Sequence, residues 1–380
     1  MLKVRPVEDK PARRQFVRIP WAIYQNDPHW VAPLLLEREH HISAGNPIFD
    51  HLRWCPFIAY WNGEPVGRIS AQVDQLHLDR YDDATGFFGM LDAPDDPHIF
   101  AALMDAAETW LRGQGMRRVR GPYNLSVNEE SGLLVEGFDR SPYVMMGHAC
   151  PYYAARVEEQ DYVGVKDLFA YVIDLNFKVS NVQARIMNRV SKKEGDRVKI
   201  RNLRKRDLSK DLEIMRDIFN DAWSENWGFV PFTAKEFKEL GTALSFIVPE
   251  DMIKVAEIDG EPAAFMVVLS NLNEALHDLN GRLLPLGWLK LLWRMKISFP
   301  KTVRVPLMGV RKRYQQTIFG PGLALALITA CQSGVLKKGA HTAEMSWILE
   351  DNKPMRGIIE GLGGYVSKRY RIYEKNLVAA

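Results

Sequence analysis

With 380 residues, 47% of them hydrophobic and 26% charged, the chain is long enough for two globular domains and does not have the composition of a disordered or fibrous polymer. A net charge of +3 with a pI near 8.6 falls short of the clustered basic surplus of a dedicated nucleic-acid binder. Three scattered cysteines, Cys55, Cys150 and Cys331, suit reduced thiols better than a disulfide framework or a metal site. The N-terminus lacks an apolar signal core and no stretch reaches roughly 18 uncharged apolar residues. A cytoplasmic protein is expected, peripheral at the inner face of a membrane at most.

Taken in chain order, the predicted elements repeat. An alternating strand, Leu2, Lys3, Val4 and Arg5, recurs as Val198, Lys199, Ile200 and Arg201. Trp30, Val31 and Pro33 are echoed by Trp227, Val230 and Pro231, and a hairpin around Gly63-Glu64-Pro65 returns around Gly260-Glu261-Pro262. Three landmarks at a near-constant spacing indicate a tandem duplication of α/β (α+β) domains. The copies are expected at 1–175 and 198–380, with the polar stretch 176–197 as a linker.

In the second copy, residues 302–310 alternate as a half-buried strand, and the loop RKRYQQTIFGPG follows before an apolar helix. A glycine-bearing loop between a strand and a helix N-terminus is an anion cradle, because free backbone N–H groups and the helix dipole both favour phosphate. The stretch 302–375 resembles the GNAT acyltransferase core, in which such a loop binds the pyrophosphate of coenzyme A. Thr317, Gly320 and Gly322 give T-x-x-G-x-G where the family has Q/R-x-x-G-x-G/A, so the first position departs from the pattern. Where many members carry a tyrosine acid on the last helix, this chain has Ile359. The resemblance implies two GNAT-like domains, each a mixed, mostly antiparallel twisted sheet flanked by helices. It also implies that acyl-CoA is held by Met308, Val310, Arg311, Arg313, Gln316, Gly320, Gly322, Leu323 and Asn352, with the amide near Val310 polarising the thioester carbonyl. No metal is called for.

In the first copy, residues 86–91 form the matching strand, but Asp92, Asp95 and Asp96 follow where phosphates would sit. This half is expected to bind no coenzyme A and to act as scaffold or acceptor-site wall. The irregular polar segment 121–153 supplies Asn124, Asn128, Tyr152 and Tyr153 as candidate acceptor ligands and Glu129 and His148 as candidate bases; Glu344 is the rival base from the second copy. Residues 282–301 form an apolar insertion with Trp288, Trp293, Lys290, Arg294 and Lys296. It is either a helix over the core, a membrane contact, or the roof of an acyl groove.

Across nearly the full chain, the segments WVAPLLLE, NPIFDH, GPYNLSVNEESG, MGVRKRYQ and SWILEDN resemble the tandem-GNAT proteins that include the bacterial ceramide synthases. That resemblance implies transfer of a long acyl group from acyl-CoA to an amine, with a sphingoid base as a candidate acceptor. Two other readings stay open: an acetyltransferase acting on a small amine or peptide, and a non-catalytic lipid- or partner-binding scaffold.

Overall fold

The computed structural model describes residues 1–194, 197–317 and 319–377, without the side chains of 188–194 and 246. Fifteen strands are present among them. In chain order they are β1 Leu2–Pro6, β2 Leu52–Trp61, β3 Glu64–Asp74, β4 Thr85–Asp92, β5 Arg118–Gly121, β6 Tyr123–Asn124, β7 Glu130–Ser131, β8 Leu133–Glu136, β9 Val163–Asp174, β10 Val198–Asn202, β11 Ile253–Ile258, β12 Glu261–Ser270, β13 Thr302–Val310, β14 Thr342–Leu349 and β15 Tyr365–Asn376. They divide between two compact units. The first comprises Met1–Leu168, Leu276–Leu283 and the C-terminal stretch from Lys368; the second comprises Phe169–Ala275 and Leu284–Ser367.

Both units have the same strand plan. In the first, β1 to β4 are successive antiparallel neighbours and β5 joins β4 in parallel. In the second, β10 to β13 are antiparallel and β14 joins β13 in parallel. A parallel pair needs a crossover, supplied by the helices Pro97–Gly113 and Phe319–Lys337. The duplication extends to backbone detail. The two hairpins turn on Asn62-Gly63 and Asp259-Gly260, all at positive φ, as a tight two-residue turn between twisted strands requires. Both carry a β-bulge at the same place, between Ala59 and Tyr60 and between Ala256 and Glu257.

The sequence-based boundaries differ from these units in three places. Most of the expected linker is the helix Asn181–Glu194, whose Gln183 donates to the carbonyl of Ile358 at 3.2 Å; Gly195 and Asp196 lie outside the described residues. Leu276–Leu283 belongs to the first unit, where Gly281 accepts a backbone hydrogen bond from Leu35 at 3.0 Å. From Lys368 on, β15 completes the first unit's sheet, with Tyr373–Asn376 antiparallel to β5 and Arg369–Arg371 beside β8. That strand is pinned by Arg371 to Asp167 at 2.8 Å and Lys375 to Glu108 at 2.9 Å.

The crossover helix Phe319–Lys337 also corrects an expectation, since by length and composition it is apolar enough to cross a membrane. Its Leu323, Leu325, Leu327, Ile328 and Val335 are nevertheless buried in the second unit. An apolar helix that covers a sheet has that composition for packing reasons alone.

Candidate active site

In the second unit the pairing of two parallel strands stops part-way, leaving a wedge between them. The parallel pairing of β13 with β14 runs from Thr302 opposite Thr342 to Val305 opposite Met345. Pro306 comes next and has no N–H to offer the ladder. On its other side β13 stays paired with β12 through Val310 opposite Ala264. The hydrogen bond from the Arg311 amide to the Ala263 carbonyl at 2.9 Å sets the phase of that ladder. Backbone groups alternate sides along an antiparallel strand, so the N–H groups of Met308 and Val310 face away from β12, into the wedge. The matching carbonyls are engaged, Met308 by the Trp223 indole N–H at 3.0 Å and Val310 by the Gln315 amide at 2.8 Å. Two backbone donors of β13 thus point away from β12.

The loop that follows is built differently from the expected cradle. Arg311 is tied back to the Asp217 carboxylate at 2.5 Å and to the Pro262 carbonyl at 2.8 Å, so it braces the strand end rather than reaching for phosphate. The Lys312 amide donates to Asp221 and its ammonium to Glu225 at 2.7 Å. Arg313 and Gln316 are exposed, with the Arg313 guanidinium 4.9 Å from the centre of the Tyr314 ring. Thr317 organises the helix start: its hydroxyl accepts from the Phe319 amide at 3.1 Å, and its carbonyl accepts from the Gly320 amide at 3.2 Å. A methyl group on Gly320 would sit 2.5 Å from the Gln315 carbonyl oxygen and 2.9 Å from that of Tyr314. The glycine is therefore required by the loop's own backbone. Gly322 and Leu323 are buried in the first turn of the helix.

The equivalent wedge of the first unit is filled by its own chain. A side chain on Gly89 of β4 would lie 1.8 Å from the Tyr123 carbonyl oxygen, because β6 passes directly over it. Gln72 holds that segment by donating to the carbonyls of Tyr123 at 2.6 Å and Leu125 at 3.3 Å. Met90, at φ 46° on the same strand, donates its amide to the Asn124 side-chain oxygen at 2.7 Å. Asn124 is thus a plug rather than an acceptor ligand. The loop is closed as well. The Ala93 amide donates to the Tyr153 hydroxyl at 3.0 Å, and the Tyr152 hydroxyl donates to the Ala93 carbonyl at 2.8 Å. Asp92 receives Arg68 at 2.7 Å and the Tyr24 hydroxyl at 2.9 Å, and Asp96 caps the helix through His98. Tyr152 and Tyr153 therefore tie down a degenerate loop, which corrects their reading as pocket residues.

An acid–base cluster lies next to the plug within the first unit. Glu130 accepts from Asn124 at 2.8 Å and from Arg38 at 3.1 Å. Although burial raises its carboxyl, these partners bring Glu130 below the usual carboxylate range. Its neighbour Glu129 ends above that range, because burial outweighs His41 and Arg38. The His41 ring stands 3.7 Å from Glu129 and 3.8 Å from Glu37. Two adjacent carboxylates pushed in opposite directions by their surroundings are a recurrent mark of acid–base sites. Asn128 is half-buried beside them, its amide donating to Ser126 at 3.1 Å. Sequence reading missed Glu37, Arg38 and His41. Glu37 and His41 stand four apart on the helix Leu35–His41, a spacing that puts them on one face.

His148 forms a separate pair with Asp27 at 2.7 Å and packs edge-on to Tyr24. Burial lowers its imidazole despite Asp27. Glu344 is neither a surface charge nor a solvent-reachable base: it is fully buried opposite Arg304, 3.9 Å away. Asn352, expected to hold coenzyme, uses its side chain to cap the helix Lys353–Gly361 through the Met355 amide at 3.2 Å. Ile359 is fully buried. Trp288 and Trp293 are 44% and 55% exposed, so their helix does not cover the core.

No protein-family model matches the chain. It is 48% identical over 377 residues to Protein YghO of Escherichia coli (strain K12), covering 98% of this chain and 95% of that protein. It is 42% identical over 378 residues to the bacterial ceramide synthase of Caulobacter vibrioides (strain NA1000 / CB15N), covering 99% of this chain and 98% of that protein. Among solved structures, the tandem GNAT protein from the clavulanic acid biosynthesis pathway matches with a TM-score of 0.58 at 11% identity over 100% of both chains. At that identity the likeness concerns the fold alone, and the fold is the tandem GNAT architecture.

Proposed function

Because this chain belongs to the tandem-GNAT acyltransferase family of the bacterial ceramide synthase and Protein YghO, we propose that it transfers a long acyl group from acyl-CoA to the amine of a sphingoid base. The observation that carries the reading is the asymmetry of the two wedges. One strand points the amides of Met308 and Val310 away from β12, beyond the end of its pairing with β14, while its counterpart is stoppered by Asn124 and the β6 backbone. One acyl-CoA binds per chain, in the second unit, with Arg313, Gln316 and the start of the helix Phe319–Lys337 toward the phosphates.

The reaction is a direct aminolysis. The acceptor ammonium loses a proton, its nitrogen lone pair attacks the thioester carbonyl, the C–S bond of the tetrahedral intermediate breaks, and the nitrogen gives up its second proton to solvent, leaving the amide and coenzyme A thiolate. Amides already aimed at the developing oxyanion lower the barrier by about 3 kcal/mol each. Within the first unit, burial keeps the Glu129 carboxyl more basic than an ordinary glutamate. A thiol ionises near pH ~8.5, so the sulfur departs as thiolate without an obligatory acid, consistent with Ile359 at the tyrosine position.

The test is turnover with a panel of acyl-CoAs and amines, following free thiol and amide product. Palmitoyl-CoA with a sphingoid base is expected to give the highest kcat/KM. Preference for acetyl-CoA with a small amine or peptide would overturn the assignment.

A further inference from the structure

Residues 282–301, which belong to the second unit from Leu284 on, are left unexplained by the acyl-transfer chemistry. The stretch contains Arg282, Lys290, Arg294, Lys296 and Lys301 and not one aspartate or glutamate. Its helix, Gly287–Lys296, has no buried residue. On and beside it, Leu284 is 76% exposed, Leu286 67%, Leu292 47% and Ile297 72%. Soluble surfaces rarely leave so contiguous an apolar patch to water. At 100° per residue, Trp288, Leu289, Leu292 and Trp293 share one outward face. On the opposite side the Arg294 guanidinium donates to the Ala275 carbonyl at 2.8 Å, which fastens the helix to its unit and keeps that face turned out.

From this arrangement we propose that residues 284–297 form an in-plane membrane anchor that docks the protein on a bilayer bearing anionic headgroups. Ten helical residues span only about 15 Å, half the thickness of a bilayer core, so the segment lies in the interface rather than across it. Tryptophan is favoured at that depth, with its ring among acyl chains and its N–H near water. Long lysine side chains reach the headgroups while their stems stay apolar. A stretch whose charged residues are all cationic selects anionic lipid over a neutral surface, and it opposes a second copy of itself, which would bring like charges together. The proposal does not depend on the acyl-transfer reading, since it is tested by binding alone.

The experiment is co-sedimentation of the full chain with vesicles of phosphatidylcholine, with and without phosphatidylglycerol, read beside sedimentation velocity without lipid. The wild-type protein is expected to pellet with phosphatidylglycerol-containing vesicles and less so as salt rises. Trp288→Ser/Trp293→Ser is expected to lower the partition coefficient about tenfold or more. Lys290→Glu/Lys296→Glu is expected to weaken binding only to the anionic vesicles, by about tenfold or more. All four positions are exposed, so both variants should keep the wild-type melting temperature, and the two give independent readouts. Absence of wild-type binding to either vesicle, or equal binding by both variants, overturns the proposal. So does dissociation of a dimer by the tryptophan variant, which would assign the face to a second copy of the chain.

Discussion

Replacing Glu344 with glutamine separates a structural role from a catalytic one. Glu344 and Arg304 are fully buried, face each other in register on β14 and β13, and stand 3.9 Å apart. The guanidinium also donates to Ser346 at 2.8 Å and lies over the Trp347 ring at 4.4 Å. Glutamine keeps the shape and removes the charge, leaving a buried cation without its carboxylate. Breaking one side of such a pair costs about 3–5 kcal/mol. At ~2–4 °C per kcal/mol for a unit of this size, the transition of the second unit should fall by roughly 6–20 °C. Arg304→Met/Glu344→Met removes both charges and should lie within about 2 kcal/mol of wild type. Differential scanning calorimetry measures the transitions, and free-thiol release well below them should stay within about threefold of wild type for the glutamine variant. A melting temperature unchanged within about 2 °C, together with loss of acyl transfer, would refute the structural assignment and restore Glu344 as the base.

Other outcomes follow from the same geometry. Burial holds Glu129 above the free-side-chain value of 4.5, so its proton-accepting form grows in through a window above pH 4.5. Because burial disfavours that charged form, the stability of the first unit should fall as pH rises through that window, and Glu129→Gln should remove the fall; a pH dependence of the melting temperature that persists unchanged in the variant would contradict the burial penalty. Gly320→Val would bring its side chain against the Gln315 and Tyr314 carbonyls, 2.5 and 2.9 Å from the first added carbon. The distorted loop should raise the acyl-CoA Kd by at least about tenfold while circular dichroism stays unchanged, and an unaltered Kd would place the phosphates elsewhere. Gly89→Ala must push β6 off β4, which should cost about 3 kcal/mol or more; an unshifted thermal melt would contradict the plug.

Much of this architecture was legible in the sequence because it rests on local signals. The paired hairpins turn on Asn-Gly and Asp-Gly dipeptides, and the alternation over 302–310 coincides with β13. The acidic run after β4 marked the first half as unsuited to phosphates. What blocks that half was not legible, since the Asn124 to Met90 and Tyr153 to Ala93 hydrogen bonds join residues far apart in the chain. Long-range packing also hid the return of β15 to the first unit. Glu344 stood as surface charge or base because a single strand residue does not announce that Arg304 sits opposite it. The same limit applied to Arg311 and Asn352, whose residue types fit a coenzyme site but whose side chains brace the backbone instead. The insertion at 282–301 showed its composition at once, yet only the fold shows that its apolar face is turned outward.

The most direct measurement is a structure of the protein with a non-hydrolysable acyl-CoA analogue. The account predicts the pantetheine arm alongside Pro306 to Val310 in the second unit, its carbonyl toward the amides of Met308 and Val310, with nothing beside β4. Density along Thr85–Asp92 with Asn124 displaced from Met90, and the wedge between β13 and β14 vacant, would contradict it.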